Sequence, residues 1–380
     1  MTKPLKPRRM KVIISGGGTG GHIYPAIAIA EALVARIPAV DILFVGASDR
    51  MEMGIIPQYG YKIKGLWIAG FQRRLTLKNL LFPVKLIWSW FQSKSILNEF
   101  KPDAVVGVGG YASGPMVRAA IDANIPSMIQ EQNSYAGITN QILGKKVTKI
   151  CVAYPNMDKF FPGNKIIVTG NPIRKDIQNK ILDAVSAHRS DACEYFGLSP
   201  YKMTIVSMGG SLGARALNEA ISDGYETIKN NPEVQWIWQT GKVNFDLYKD
   251  SPTAKLPNVK IYPFFEKMEY VYGASDLIIS RAGALSVAEI CLAGKAAILV
   301  PSPNVAEDHQ TKNALALVEE QAAILVKEQE ISSLIEKALS TVNDKNKLED
   351  LARNSKKLAK PNAASDIAEQ IISLVNSDKR

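Results

Sequence analysis

Hydrophobic and polar positions follow one recurring order along this chain: a short β-branched run, a glycine-rich turn, then a stretch with helical spacing. The first instance is Val12-Ile-Ile-Ser15, five glycines between Gly16 and Gly21, and an Ala-rich helical segment, Ala26 to Ala35, opened by Pro25. Asp41 to Val45 and Asp103 to Val108 read as further strands, and Ile125 to Asn133 as one ending in a polar cluster. About 190 residues after the first, the order returns at Thr204-Ile-Val-Ser-Met-Gly-Gly-Ser-Leu-Gly-Ala-Arg-Ala-Leu-Asn218, followed by strands at Asp276 to Ser280 and Ala297 to Pro301. Strands alternating with helices predict an α/β fold with parallel sheets, and the returning unit predicts two Rossmann-like domains in tandem. Residues 1–172 make the first and 173–359 the second, with a linker and lead-in helix at 175–200 and a last helical segment, about 360–380, crossing back onto the first.

One stretch departs from this order. From Leu75 to Phe91, helical spacing puts Leu77, Leu80, Leu81, Val84, Trp88 and Phe91 on one stripe, flanked by Arg74, Lys78 and Lys85. Pro83 kinks this helix or starts a second one. A stripe of this kind faces the protein's own core or a membrane. Leu86, Ile87 and Trp90 widen it beyond what a core needs, and basic flanks suit anionic headgroups.

Composition narrows the setting. With 46% apolar and 22% charged residues in 380, the chain is globular with ample core for two domains. Its three cysteines, Cys151, Cys193 and Cys291, lie far apart with no metal-ligand spacing, which predicts a reducing compartment. The apolar run after the basic N-terminus is too short for a signal peptide or a spanning helix. A net charge of +10 favours an acidic partner, and residues 61–101 concentrate it, with eight Lys or Arg against Glu99 alone.

The candidate chemistry lies at the strand ends. Glycine turns leading into helices let backbone N–H groups approach phosphate or pyrophosphate. Gly46 and Ala47 stand where a dinucleotide-binding domain wants an acid, which disfavours nicotinamide. Glu131 and Asn133 at a strand end either line a ligand site or cap a helix. Ser286 and Glu289 have capping-box spacing, and Glu289 either caps or holds a ribose diol. The absence of any Asp-x-Asp triplet leaves helix dipoles and Arg, Lys or Ser groups to neutralise a leaving diphosphate.

Seven motifs, Gly17-Gly-Thr-Gly-Gly-His22, Gly109-Gly-Tyr-Ala-Ser-Gly-Pro115, Glu131-Gln-Asn133, Gly170-Asn-Pro-Ile-Arg174, Gly209-Gly-Ser-Leu-Gly-Ala-Arg215, Arg281-Ala-Gly-Ala-Leu-Ser286 and Gln310 to Asn313, together resemble glycosyltransferase family 28, the bacterial N-acetylglucosaminyltransferases that complete lipid II. The resemblance spans about residues 10–315. It implies a GT-B fold, two Rossmann-like domains facing across a cleft, with acceptor in the N-terminal domain and donor mainly in the C-terminal one. The implied reaction moves N-acetylglucosamine, with inversion, from UDP-N-acetylglucosamine to the 4-hydroxyl of MurNAc-pentapeptide on undecaprenyl pyrophosphate, without cofactor or tightly held metal.

Residue by residue, the resemblance places the donor against Thr19, Gly20, Gly21, Asn133, Arg174, Ser211, Phe265, Ala284, Leu285, Ser286, Glu289 and Gln310. Ser211 and Arg174 would take diphosphate charge, Glu289 the ribose and Gln310 the sugar hydroxyls. His22, Tyr111 and Glu131 fall on the acceptor side as catalytic candidates, and an imidazole with a pKa of about 6.5 suits the general base better than Glu131 does. Leu212 and His309 stand where the family pattern has Gln. The implied partners are UDP-N-acetylglucosamine, lipid I, an anionic phospholipid surface and other cell-wall synthesis proteins, at the cytoplasmic face of the bacterial inner membrane. The rival readings are a UDP-N-acetylglucosamine 2-epimerase on the same fold and a non-catalytic binder of anionic membrane or RNA. The chain lacks the interleaved aromatic and basic pattern of RNA modules, so no nucleic-acid partner is expected.

Overall fold

A computed structural model describes residues 9–70, 81–186, 189–210 and 212–377. They divide into two compact units, Met1–Arg174 with Asn362–Arg380, and Lys175–Pro361.

In the first unit β1 (Lys11–Ser15), β2 (Asp41–Ala47), β3 (Lys62–Leu66), β4 (Ala104–Gly107), β5 (Ser127–Glu131), β6 (Lys149–Val152) and β7 (Ile166–Val168) form a parallel sheet in the order β3-β2-β1-β4-β5-β6-β7. The central strands are apolar throughout because both faces are covered. Alternation sends Ile13, Val45 and Val105 into one core and Val12, Ile14, Phe44 and Val106 into the other. Helix α1 (Gly20–Arg36) covers the second face with Ile23, Ile27 and Leu33. It begins at Gly20, earlier than expected, with Thr19 extended at its N-cap and Pro25 inside it. Pro25 forfeits only the bond to the Gly21 carbonyl, so the glycines and His22 make the first turn.

A short helix, α2 (Glu52–Ile55), follows β2. Helix α3 (Phe82–Phe100) starts with Pro83 in its first turn and, with α4 (Ser113–Asp122) and α5 (Ile138–Gly144), supplies the first face. Arg74, Leu77, Lys78 and Leu80 of the predicted stripe lie outside the described residues.

The second unit repeats the plan. Strands β8 (Met203–Met208), β9 (Val234–Gln239), β10 (Val259–Tyr262), β11 (Leu277–Ser280), β12 (Ala296–Leu299) and β13 (Ile324–Leu325) form a parallel sheet in the order β10-β9-β8-β11-β12-β13. Trp236 and Trp238, alternate residues of β9, fill its core. The expected linker begins instead with α6 (Lys175–Ser186), which packs on α7 (Met268–Ala274) and α8 (Ala284–Ala293). Helix α9 (His309–Glu319) follows β12. The last helix, α10 (Ala363–Ser377), belongs to the first unit, where Ile367, Ile371 and Leu374 join the core of α1.

Candidate active site

Strand order reverses between β1 and β4 in one unit and between β8 and β11 in the other. Ligands of open parallel sheets meet the loops at such points. After β1 the glycines do not all serve as an anion cradle. Gly16 N donates to Val45 O (3.2 Å), Gly17 N to Gly109 O (3.3 Å) and Gly18 N to Glu52 Oε2 (2.8 Å). These donors are spent inside the protein, and a carboxylate beneath Gly18 repels an anion there. The outward part is the start of α1, where Thr19 and Gly21 are exposed and Gly20 half-buried. The two glycine loops of this unit press backbone on backbone: a Cβ on Gly110, at φ +84°, would stand 2.2 Å from Gly17 O.

His22 Nδ1 lies 3.1 Å from Gly17 O and 3.3 Å from Thr19 Oγ1. A carbonyl oxygen only accepts, so Nδ1 carries the proton and Nε2 keeps the lone pair that a general base needs. The ring edge covers Gly109, where a Cβ would meet Nε2 at 2.8 Å. Glu131 is buried at the end of β5 and fully engaged. Oε1 accepts from Asn133 N (3.0 Å) and Nδ2 (3.2 Å), and Oε2 from Gly137 N (3.1 Å) and Asn140 Nδ2 (2.8 Å). Gly137 is the N-cap of α5, so Glu131 ties the loop into that helix, close to the capping alternative, and sets the position of Asn133. Tyr111 packs against Gly70, with the Arg50 guanidinium 6.0 Å above its ring. Arg174 donates to Tyr59 Oη and lies 5.3 and 5.4 Å over the rings of Tyr24 and Tyr59. That clamp seats its charge beside α1.

In the second unit Ser211 lies outside the described residues. Its loop is bound to the end of β9: a Cβ on Gly213, at φ +77°, would stand 2.0 Å from Thr240 O. After β11, Gly283 is the N-cap of α8, so Ala284, Leu285 and Ser286 form the first turn. Ser286 therefore caps nothing, and Glu289 lies a turn too far along to cap. Instead Glu289 Oε2 accepts from the Tyr272 hydroxyl at 3.1 Å. Burial, reinforced by Glu289, pushes the Tyr272 hydroxyl well above the usual tyrosine range, which keeps it a donor. Phe265 points inward, packed on Phe196 and Tyr262, so it can offer a ligand only backbone. Gln310 accepts Ser302 N at 2.9 Å through Oε1, leaving Nε2 to meet an oxygen of a ligand. Just before it Glu307 and Asp308 are both left-handed, at φ 53° and 54°, conformations that cost about 1 kcal/mol each.

Residues 12–152 match the glycosyltransferase family 28 N-terminal domain and residues 204–371 the C-terminal domain. The chain is 53% identical over 370 residues to the UDP-N-acetylglucosamine–N-acetylmuramyl-(pentapeptide) pyrophosphoryl-undecaprenol N-acetylglucosamine transferase of Flavobacterium psychrophilum, covering 97% of this chain and 99% of that one. It is 50% identical to the protein of the same name from Bacteroides thetaiotaomicron, covering 98% and 99%. The chain belongs to glycosyltransferase family 28. Among solved structures, Acinetobacter baumannii MurG matches with a TM-score of 0.76 at 29% identity, over 96% of this chain and 99% of that one. A UDP-N-acetylglucosamine 2-epimerase from Neisseria meningitidis matches at 0.65 and 17% identity, over 96% and 100%, which shows the shared fold alone.

Three features of this family 28 chain escape motif reading. Glu52, Tyr272 and the Tyr24–Tyr59 pair act on site residues from other segments, and only Glu52 leaves a trace in the sequence, an acid five residues after the end of β2. A fourth corrects the stripe. In α3 the buried positions are Ser89, Ser93, Ile96 and Leu97, while Trp88 and Phe91 are 57% and 56% exposed and Leu81, Val84, Leu86 and Ile87 are exposed as well. Trp90 does not widen that face, because its indole donates to Asp122 Oδ2 at 3.1 Å on α4. Lys85 flanks the face, over the Trp67 ring. Among the described residues no helix is long and apolar enough to cross a membrane.

Proposed function

We propose that the chain transfers N-acetylglucosamine from UDP-N-acetylglucosamine to the 4-hydroxyl of the muramyl sugar of lipid I, with inversion, releasing UDP and forming lipid II. The observation that carries this reading is the 53% identity, along nearly the whole chain, to a relative named for that transfer. In the proposed step His22 Nε2 takes the proton of the acceptor hydroxyl as its oxygen attacks the anomeric carbon, and the bond to the UDP oxygen breaks on the opposite face. Glu131, with both oxygens engaged, is the weaker candidate for this role. Tyr111 lies beside the acceptor. Arg174 and Ser211 take the charge gathering on the leaving diphosphate, with the first-turn N–H groups of α8. Glu289 holds the ribose, Gln310 Nε2 a sugar oxygen, and Thr19 to Gly21 with Asn133 the sugar side of the donor.

The lipid acceptor requires the enzyme at a membrane surface. The outward apolar face of α3, with its basic flank, is the proposed anchor, docking peripherally on anionic phospholipid at the cytoplasmic face of the inner membrane. The test of the whole reading is UDP release from UDP-N-acetylglucosamine, with and without a lipid I analogue, in the presence of EDTA. Release that needs the acceptor and survives chelation is the expected result. Release without acceptor would overturn it in favour of hydrolysis or epimerisation.

A further inference from the structure

We infer that Glu52 is a positioning residue for His22, acting through the peptide group between Gly17 and Gly18. The inference rests on the proposed role of His22 as base. Glu52 Oε2 accepts the Gly18 N–H at 2.8 Å. The other end of that same peptide, Gly17 O, accepts the His22 Nδ1–H at 3.1 Å. Carboxylate, peptide and imidazole therefore form one hydrogen-bonded line running from α2 through the loop to α1.

The carboxylate is built in. Glu52 is 1% exposed, and its second oxygen accepts Ala47 N at 2.9 Å at the end of β2. Two glycines make room for it. A Cβ on Gly17 would fall 2.3 Å from its Cδ and one on Gly46 2.5 Å from its Cγ. Among the described residues Glu52 has no ion-pair partner, so its charge acts on the two amides that hold it. A negative charge on the N–H side of a peptide strengthens the carbonyl as an acceptor, since hydrogen bonds in a chain polarise one another. The strengthened Gly17 carbonyl holds the Nδ1–H tautomer and favours the imidazolium that forms when Nε2 takes a proton. No proton travels along the line, because the peptide N–H keeps its own.

The other charged and titratable groups around this loop are engaged elsewhere. Glu131 is tied to Asn133, Gly137 and Asn140, Arg174 to Tyr59 and Tyr24, and Arg50 lies over Tyr111. Glu52 is the carboxylate joined to the His22 ring by unbroken hydrogen bonds.

Nitrogen-15 NMR of the histidine rings tests this directly, since the chain has three histidines and the His22 signal is the one lost in His22→Gln. The expected result is an Nδ1–H tautomer in the wild type. In Glu52→Gln the His22 titration should move about half a unit to lower pH. The acid limb of the rate profile should move with it, kcat should fall about tenfold, and donor KM should stay within twofold. An Nε2–H tautomer in the wild type overturns the inference without any variant, so a Glu52→Gln protein that fails to fold does not shield it. An unmoved His22 titration in folded Glu52→Gln overturns it equally. If His22→Gln keeps full kcat while the titration still answers to Glu52, the base assignment fails and the coupling stands.

Discussion

Single groups in this chain work by holding other groups. The Tyr272 hydroxyl has one close partner, Glu289 Oε2, and fixes where that carboxylate can meet a diol. Glu289→Ala should raise donor KM about tenfold, and Tyr272→Phe about threefold, because a hydrogen bond to a carboxylate contributes roughly 1.5–3 kcal/mol and an orienting one less. Steady-state kinetics with kcat unchanged within twofold is the expected signature in both. Lys295 is a different kind of residue, buried with its ammonium on Ser275 O at 2.8 Å. Burial lowers its pKa from 10.5 to about 8. Below pH 8 both folded and unfolded chains carry this proton, and the full cost of burying the charge is felt. Above about 8 the folded chain releases it while the unfolded chain keeps it, so Lys295 makes stability rise with pH toward 10. Urea unfolding from pH 7 to 9.5 should show that rise, and Lys295→Met should flatten it.

At the scale of elements, the glycine loops behave as interlocked backbone. Gly110→Ala would force a Cβ to within 2.2 Å of Gly17 O at φ +84°, and the neighbour is backbone that cannot turn aside. The expected cost is about 3 kcal/mol or more, read as a fall in thermal midpoint together with lost transfer. Helix α3 should show the opposite behaviour. Trp88 and Phe91 contribute little to packing, so Trp88→Ser with Phe91→Ser should leave unfolding within about 0.5 kcal/mol of wild type. Cosedimentation with anionic vesicles should nevertheless drop sharply, and binding by the wild type should weaken as salt rises. Unchanged vesicle binding in the double variant would remove α3 as the anchor.

For the whole molecule, chain order and spatial order differ at one place. The second unit is continuous, whereas the first is completed by the last helix, α10. Ile367, Ile371, Leu374 and Val375 are buried in the core with α1. At roughly 1.5–3 kcal/mol for each large side chain, their loss is comparable to a domain's entire stability. A chain ending at Pro361 should therefore keep a cooperatively folded second unit and a first unit open to protease, which limited proteolysis with mass spectrometry would show.

Much of this was legible in the order of residues. The β-branched runs, the glycine turns and the return of the pattern at Thr204 sufficed for two parallel α/β units, because a buried parallel strand must be apolar on both faces and a tight turn must be glycine. The seven motifs sufficed for the family, since they are local stretches. What local reading could not settle were the directions of side chains and the partners of charges. Phe265 turned inward, Ser286 capped nothing, the α3 stripe faced out with serines beneath it, and the first-loop amides went to Glu52 and to backbone carbonyls. Each of these depends on a segment distant in sequence. Burial and hydrogen bonding are satisfied across the packed chain, and only the tertiary structure decides which neighbour satisfies them.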